Sequence, residues 1–188
     1  MILFLPPAPH TGAFFNKIRD KLSDIDTRAG TYPGYGEVPS ATAASIEAYA
    51  ASVLPLDAGT RLIGFHTGCL VAIEIALQTS DISSDIGSLI LVDIPHFDDL
   101  TKQKYAAGLD ADNREQDAFR AAFAYDLDGA LTRLSHKVIC IATQSSLFEP
   151  TVKVAKQIKE SQLIERRDIT KPVFETTAMA DLIRSLVL

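Results

Sequence analysis

The stretch Arg61-Leu62-Ile63-Gly64-Phe65-His66-Thr67-Gly68-Cys69-Leu70 decides the fold of this chain. A short apolar run leads into a turn with glycines at 64 and 68, and a second apolar stretch continues to about Thr79. Two glycines around a central residue let a strand and a helix approach closely and hold the central side chain at the carboxyl edge of a sheet. The sequence therefore predicts a strand, a sharp corner at His66 and a helix beginning at Thr67.

Short apolar runs and amphipathic stretches alternate on both sides of this corner. Runs that read as strands cover 2–5, 25–31, 86–94, 138–142 and 163–164. Helical spacing is found over 12–23, after a cap at Ser40, around 150–160 and from about Thr176. Strands that are apolar throughout and are separated by helices are typical of a parallel sheet covered on both faces. We expect an α/β fold, a three-layer sandwich whose mostly parallel sheet has about six strands.

Residues 97–134 interrupt the alternation. This segment is rich in charge, contains two helical patches and lies between two strong strands. It is long for a simple connection. We therefore predict a helical insertion that covers one end of the sheet, within a single domain over 1–188, and call it the lid segment.

The composition excludes several classes of protein. The chain has 188 residues, 47% of them hydrophobic, and a net charge of −6, which argues against nucleic-acid binding. No stretch is long enough to span a membrane, and the short apolar N-terminus lacks a basic leader. Cys69 and Cys140 lie in apolar runs, as buried, reduced thiols do. We expect a cytoplasmic protein that uses no cofactor and does not contact membranes.

Several motifs together resemble the α/β-hydrolase fold, in a short form that begins at the third strand of the family. Residues 4–7 with 12–15 are similar to its first strand and oxyanion loop, and 32–36, Tyr-Pro-Gly-Tyr-Gly, to its Pro-Gly-x-Gly turn. That turn is similar to the one in small thioesterases that serve acyl carriers. Residues 89–93 resemble the sixth strand, 97–134 the lid, and 138–150 the strand and loop that bear the acid.

The three catalytic positions implied by the resemblance hold other residues. His66 stands where the family has its serine nucleophile, Ser146 where the acid would be, and Lys171 or a neighbour where the histidine base would be. No histidine occurs after His136. A Ser-His-Asp cycle needs an activated hydroxyl and a proton shuttle within reach. The resemblance therefore implies a hydrolase scaffold that lacks the triad.

His66 itself has two interpretations. At a helix N-terminus the imidazole is kept neutral, and it could act as a general base. The N–H of Thr67 and the loop around Pro7 and His10 would then form an oxyanion site and pocket. Alternatively the turn is a relic, because histidine is among the residues that tolerate the left-handed backbone.

Further candidates lie near the same edge of the sheet. Asp93 and His96 follow a strand, and Asp93, Asp98 or Asp99 could orient His66 or His96. The alternative is that these aspartates cap the loop and the next helix. The histidines at 10, 66 and 96 match no compact metal-ligand spacing, so no metal is predicted.

Two functional hypotheses remain. The first is a degenerate hydrolase that binds a small acyl or hydrophobic molecule without turning it over. The second is an enzyme for elimination, isomerisation or cyclisation with His66 as the base. The sequence also allows a homodimer formed through an edge strand or the lid segment, and it does not decide between a monomer and a dimer.

Overall fold

The computed structural model describes residues 1–40, 44–79, 86–110 and 112–187. Its centre is a six-stranded sheet in the order β2-β1-β3-β4-β5-β6, and every neighbouring pair is parallel. The strands are β1 (Ile2–Leu5), β2 (Thr27–Ala29), β3 (Arg61–Phe65), β4 (Ser88–Val92), β5 (Val138–Thr143) and β6 (Ser161–Arg166). The predicted α/β fold is confirmed.

The strands alternate between two apolar cores, one on each face of the sheet. In β1, Leu3 and Leu5 pack into the first core, and Ile2 and Phe4 pack into the second. Since side chains along a strand point to opposite faces, both sets can be buried only if helices cover both faces. This arrangement explains why the strands are apolar throughout.

Eight helices flank the sheet in the described residues. They are α1 (Asn16–Lys21), α2 (Ile46–Val53), α3 (Thr67–Thr79), α4 (Asp99–Ala107), α5 (Asp117–Ala124), α6 (Leu127–Arg133), α7 (Phe148–Gln157) and α8 (Thr177–Val187). Helices α1 and α8 bury apolar residues in the second core, while α2, α3, α5, α6 and α7 do so in the first. The sheet therefore lies between two helical layers.

One predicted helix start was wrong. Ser45 and not Ser40 caps α2, because its hydroxyl accepts a hydrogen bond from the Ala48 N–H at 3.1 Å. Both serines precede Ile46, the first residue of α2, and only the serine whose Oγ lies against the first turn can satisfy a free N–H.

In its described residues, the lid segment forms three α-helices rather than two helical patches. Helices α5 and α6 bury Ala118, Ala121, Ala130 and their neighbours in the first core, whereas α4 has no buried residue. The last two helices of the lid segment therefore belong to the first core, and only α4 lies outside it. The many charged residues of the segment gave no indication of this packing.

Among the described residues, no helix combines the length and the apolar character needed to cross a membrane.

Candidate functional site

The corner between β3 and α3 has a strained, closely packed backbone. His66 has a φ of 51°, in the left-handed region. A Cβ on Gly68 would overlap the carbonyl oxygen of Leu5, and one on Gly64 would overlap that of Gly68. The two glycines therefore let α3 start directly against β1 and β3, which fixes His66 at the carboxyl edge of the sheet.

A cavity of about 350 Å³ opens beside this corner, between the sheet edge and the lid segment. The cavity walls are mostly apolar and aromatic. They are formed by Ala8, His66, Thr67, Pro95, Phe97, Lys102, Tyr105, Leu109, Phe119, Ala122, Phe123 and Leu147. The rings of Phe97, Tyr105 and Phe123 lie within 5.7–6.3 Å of one another and form one continuous aromatic wall.

The imidazole of His66 is partly buried and is held in its neutral form. Its Nε2 is buried without a hydrogen-bond partner, and its ring lies 4.0 Å from the ring of Phe65. The pKa of His66 is lowered from 6.5 to about 4, mainly by burial; Asp93 opposes this shift, and the charges of Lys171 and His10 add to it. At pH 7 the ring therefore carries no charge.

The carboxylate of Asp93 is hydrogen-bonded to the neighbouring strand β5. It is fully buried, has a φ of 52°, and accepts hydrogen bonds from the N–H of Thr143 at 2.8 Å and from its hydroxyl at 2.6 Å. These bonds join the ends of β4 and β5. Asp93 is close enough to influence His66 electrostatically, but its carboxylate forms no hydrogen bond with the imidazole among the contacts of the described residues.

His96 is paired with an acidic residue of α6. Its Nε2 donates to Oδ1 of Asp128 in α6 at 2.9 Å, and Gln157 donates to the same oxygen at 3.3 Å. The hydrogen bond from His96 is the main reason why the pKa of Asp128 is lowered. Asp128 could not be predicted as a partner of His96, because no pattern in the sequence indicates that α6 returns beside the end of β4.

The acidic residues at the start of the lid segment lie at the N-terminus of α4, where Asp98 is the capping residue. Oδ1 of Asp98 accepts from the Thr101 N–H at 2.7 Å, and Asp99 lies in the first turn of α4. Both positions suit a carboxylate at a helix N-terminus. Neither residue lines the cavity.

The remaining predicted site residues are spread around the corner. Thr67 is buried and lines the cavity, and Pro7 is buried in the loop after β1. His10 is exposed in the same loop, with its ring 5.0 Å from that of Phe14. Ser146 is exposed after β5, and Lys171 is exposed after β6, where its charge still reaches His66.

Both cysteines are free thiols buried in the core. The thiol of Cys69 donates to the carbonyl oxygens of Gly64 and Val92 at 3.3 Å each, and burial raises its pKa. Burial also raises the pKa of Cys140 to about 12. In the part of the chain that the structure describes, no cluster of three or more histidine, cysteine, aspartate or glutamate residues could hold a metal ion.

Comparison with known proteins places this geometry in context. The family model of the thioesterase domain matches residues 1–179. Among solved structures, the chain is similar to an esterase (EaEST) from Exiguobacterium antarcticum, with a TM-score of 0.76, 16% identity, and coverage of 99% of this chain and 91% of that one. The corresponding values for MenH from S. aureus are 0.74, 12%, 100% and 92%. For the enol-lactonase from Burkholderia xenovorans LB400 they are 0.72, 14%, 99% and 88%. No curated protein sequence matches.

Proposed function

Because the chain belongs to the thioesterase-domain family and has the α/β-hydrolase fold, we propose that it is a degenerate hydrolase that binds a small acyl or hydrophobic molecule without cleaving it. The observation that carries this proposal is the aromatic cavity beside a corner whose central residue is His66. The cavity can hold a ligand, but the corner beside it has a histidine where a hydrolase would have the nucleophile that attacks a bound acyl group.

The walls of the cavity favour an apolar ligand. Most of its lining is hydrocarbon, and its volume of about 350 Å³ is near the lower end of the ~300–1,000 Å³ that is usual for ligand sites. Short or medium acyl chains fit such a space. Transfer of their methylene groups from water to these walls would supply most of the binding free energy.

The polar groups at the corner do not support acyl transfer. His66 is neutral at pH 7, and Asp93 is engaged by Thr143. The positions where the family has its acid and base hold Ser146 and Lys171, both exposed. An acyl-enzyme cycle requires a nucleophile and a base in hydrogen-bond contact, and these four side chains cannot provide them.

A chain-length series tests the proposal. Calorimetric titration with the N-acetylcysteamine thioesters of butyric, hexanoic and octanoic acid should show binding without hydrolysis. Affinity should rise by about fourfold per added methylene, since each buried CH₂ contributes about 0.8 kcal/mol, until the cavity is full. Release of thiol at a steady rate, abolished by substitution of a cavity residue, would contradict the proposal.

A matched pair of variants locates the binding. Ala122→Phe places a ring in the cavity wall, while Ala106→Phe adds the same ring to an exposed position on α4. We expect the first variant to lose thioester binding and the second to retain it. Equal loss in both would mean that the thioesters bind elsewhere.

A second function, non-hydrolytic catalysis with His66 as general base, is favoured by one observation. His66 and Thr67 line the same cavity, and the imidazole is neutral and able to accept a proton. However, a pKa of about 4 makes this ring a weak base at neutral pH. This alternative predicts that His66→Ala abolishes turnover of the true substrate without unfolding the protein.

Location and assembly are part of the same proposal. Two buried thiols suit a reducing compartment such as the cytoplasm. The edge strands of the sheet are β2 and β6, and in the described residues each has a neighbouring strand on one side only. Edge strands of this kind can pair with a second copy of the chain. Light scattering of the purified protein would distinguish a monomer from a homodimer.

A further inference from the structure

The cavity has one charged side chain in its wall. Among the described residues that line it, Lys102 is the only one charged at neutral pH, since the neighbouring His66 has a pKa of about 4. An ammonium group in a mostly aromatic wall selects among ligands, because it attracts anions and gains nothing from neutral molecules of the same shape.

The position of Lys102 on α4 distinguishes it from the other lysine of that helix. Lys102 is partly buried and lines the cavity, whereas Lys104 is exposed and does not. Helix α4 buries no residue in either core, so it contributes little to the packing of the domain. Its contribution to the molecule is the wall that Lys102 and Tyr105 form.

Lys102 has no ion-pair partner within the described residues. The acid that it influences is Asp128, whose carboxylate is already bound by His96 and Gln157. The side chain of Asp98, one turn earlier, is bound to the Thr101 N–H. A partly buried ammonium is more stable when an anion pairs with it, and a bound ligand can supply that anion.

We infer that the ligand of this cavity is an amphipathic anion, with an apolar chain between the rings of Phe97, Phe119 and Phe123 and a small anionic head group on Lys102. This inference rests on the proposed binding function and specifies its ligand class. Lys102 is the residue that determines specificity. The head group can be the carboxylate of a free acid or the phosphate of a phosphorylated acyl compound, which share the charge that Lys102 recognises.

The test compares three ligands that share an eight-carbon chain. Octanoate, octyl phosphate and octanamide are titrated calorimetrically into the wild-type protein and into Lys102→Met, which keeps an unbranched apolar side chain and removes the charge. In the wild type we expect at least one anion to bind about three- to tenfold more tightly than octanamide, as a partly exposed charge pair allows. The tighter of the two anions identifies the source of the head group.

The variants separate charge from packing. Lys102→Met should lose the preference for the anion while its affinity for octanamide stays the same. Lys102→Arg should retain the preference, and Lys104→Met, which removes a charge from the same helix outside the cavity, should behave like the wild type.

Two results would overturn the inference, and they are distinct. Equal binding of octanamide and both anions by the wild type would show that the cavity accepts apolar chains without regard to charge, and the proposed binding function would survive. Absence of binding by all three ligands, together with the thioesters, would remove the binding function as well.

Discussion

The corner at 64–68 and the loops that follow β5 and β6 meet at the same edge of the sheet, yet packing constrains them to different extents. The corner keeps its two glycines, its positive φ and its direct entry into α3. The loops after β5 and β6 present Ser146 and Lys171 to solvent. Packing constrains the backbone at the corner, because α3 is buried against β1. Nothing comparable constrains the exposed side chains of the loops.

Asp93 shows how a polar residue in this region is used for structure. Its carboxylate joins the ends of β4 and β5 through both donors of Thr143. The edge of the sheet that serves catalysis in hydrolases is here held together by a buried hydrogen-bond pair. The contrast between a tightly packed corner and exposed side chains in the loops leads to four predictions, from the largest expected effect to the smallest.

Gly68→Ala tests whether packing preserves the corner. The added Cβ would overlap backbone atoms of Leu5 and Pro6, so we expect a loss of roughly 4 kcal/mol in the free energy of unfolding, measured by urea denaturation. Gly108→Ala is the control, because its Cβ would lie 3.5 Å from the nearest atom, the Tyr105 carbonyl oxygen. Similar stability of the two variants would mean that the corner is not tightly constrained.

Asp93→Ala tests the structural role of the carboxylate. It removes the carboxylate that accepts both hydrogen bonds from Thr143. It also leaves an alanine in the left-handed backbone conformation, at a φ of 52°. We expect a loss of about 3 kcal/mol in unfolding free energy. Asp93→Asn should lose only about 1 kcal/mol, because asparagine tolerates this backbone and still accepts one hydrogen bond. If Asp93→Ala were as stable as the wild type, the pair with Thr143 would not support the sheet edge.

The pH dependence of stability tests the burial of His66. The folded-state pKa of about 4 is below the unfolded value of 6.5, so the unfolded state binds a proton first as the pH falls. The contribution of His66 to the free energy of unfolding should be fully present above pH 6.5 and should decrease as the pH falls toward 4. The contribution of His66 should be about 2 kcal/mol, after allowance for partial exposure of the ring.

His66→Asn isolates that contribution, because asparagine accepts the left-handed backbone and does not titrate. Denaturation curves at several pH values should fall less steeply between pH 6.5 and 4 for the variant than for the wild type. Parallel curves would show that the imidazole is solvated in the folded protein.

His66→Ser should have the smallest effect. It places a hydroxyl at the corner, but the loop after β6 contains no histidine that could act as its base, so the rate of p-nitrophenyl butyrate hydrolysis should stay at the wild-type level. The double variant His66→Ser with Lys171→His adds an imidazole in the loop after β6. Comparing it with His66→Ser tests whether the missing base limits the rate. A substantial esterase rate from His66→Ser alone would show that the remaining site can still activate a serine.

Much of the fold could be predicted from the sequence because its signals are local. The apolar runs located all six strands, and the glycines at 64 and 68 located the corner. The predicted boundaries failed where two local signals competed, as at Ser40 and Ser45. In the lid segment, the charges on one side of α5 and α6 hid the small residues that enter the first core.

The candidate site was less predictable because its contacts link distant parts of the chain. The sequence placed Asp93 and His96 near the corner, but not the pairing of Asp93 with Thr143 or of His96 with Asp128. The cavity residues Phe97, Lys102 and Phe119 carry no motif. They meet only because the lid segment folds back over the sheet.

By itself the sequence determined the parallel sheet and the sharp turn at His66, since each follows from residue type and spacing within a short window. The tertiary structure decided which polar groups pair, which ring is kept neutral and where a ligand can enter. Those properties depend on burial and on distances between elements far apart in the chain, and local patterns contain no information on either.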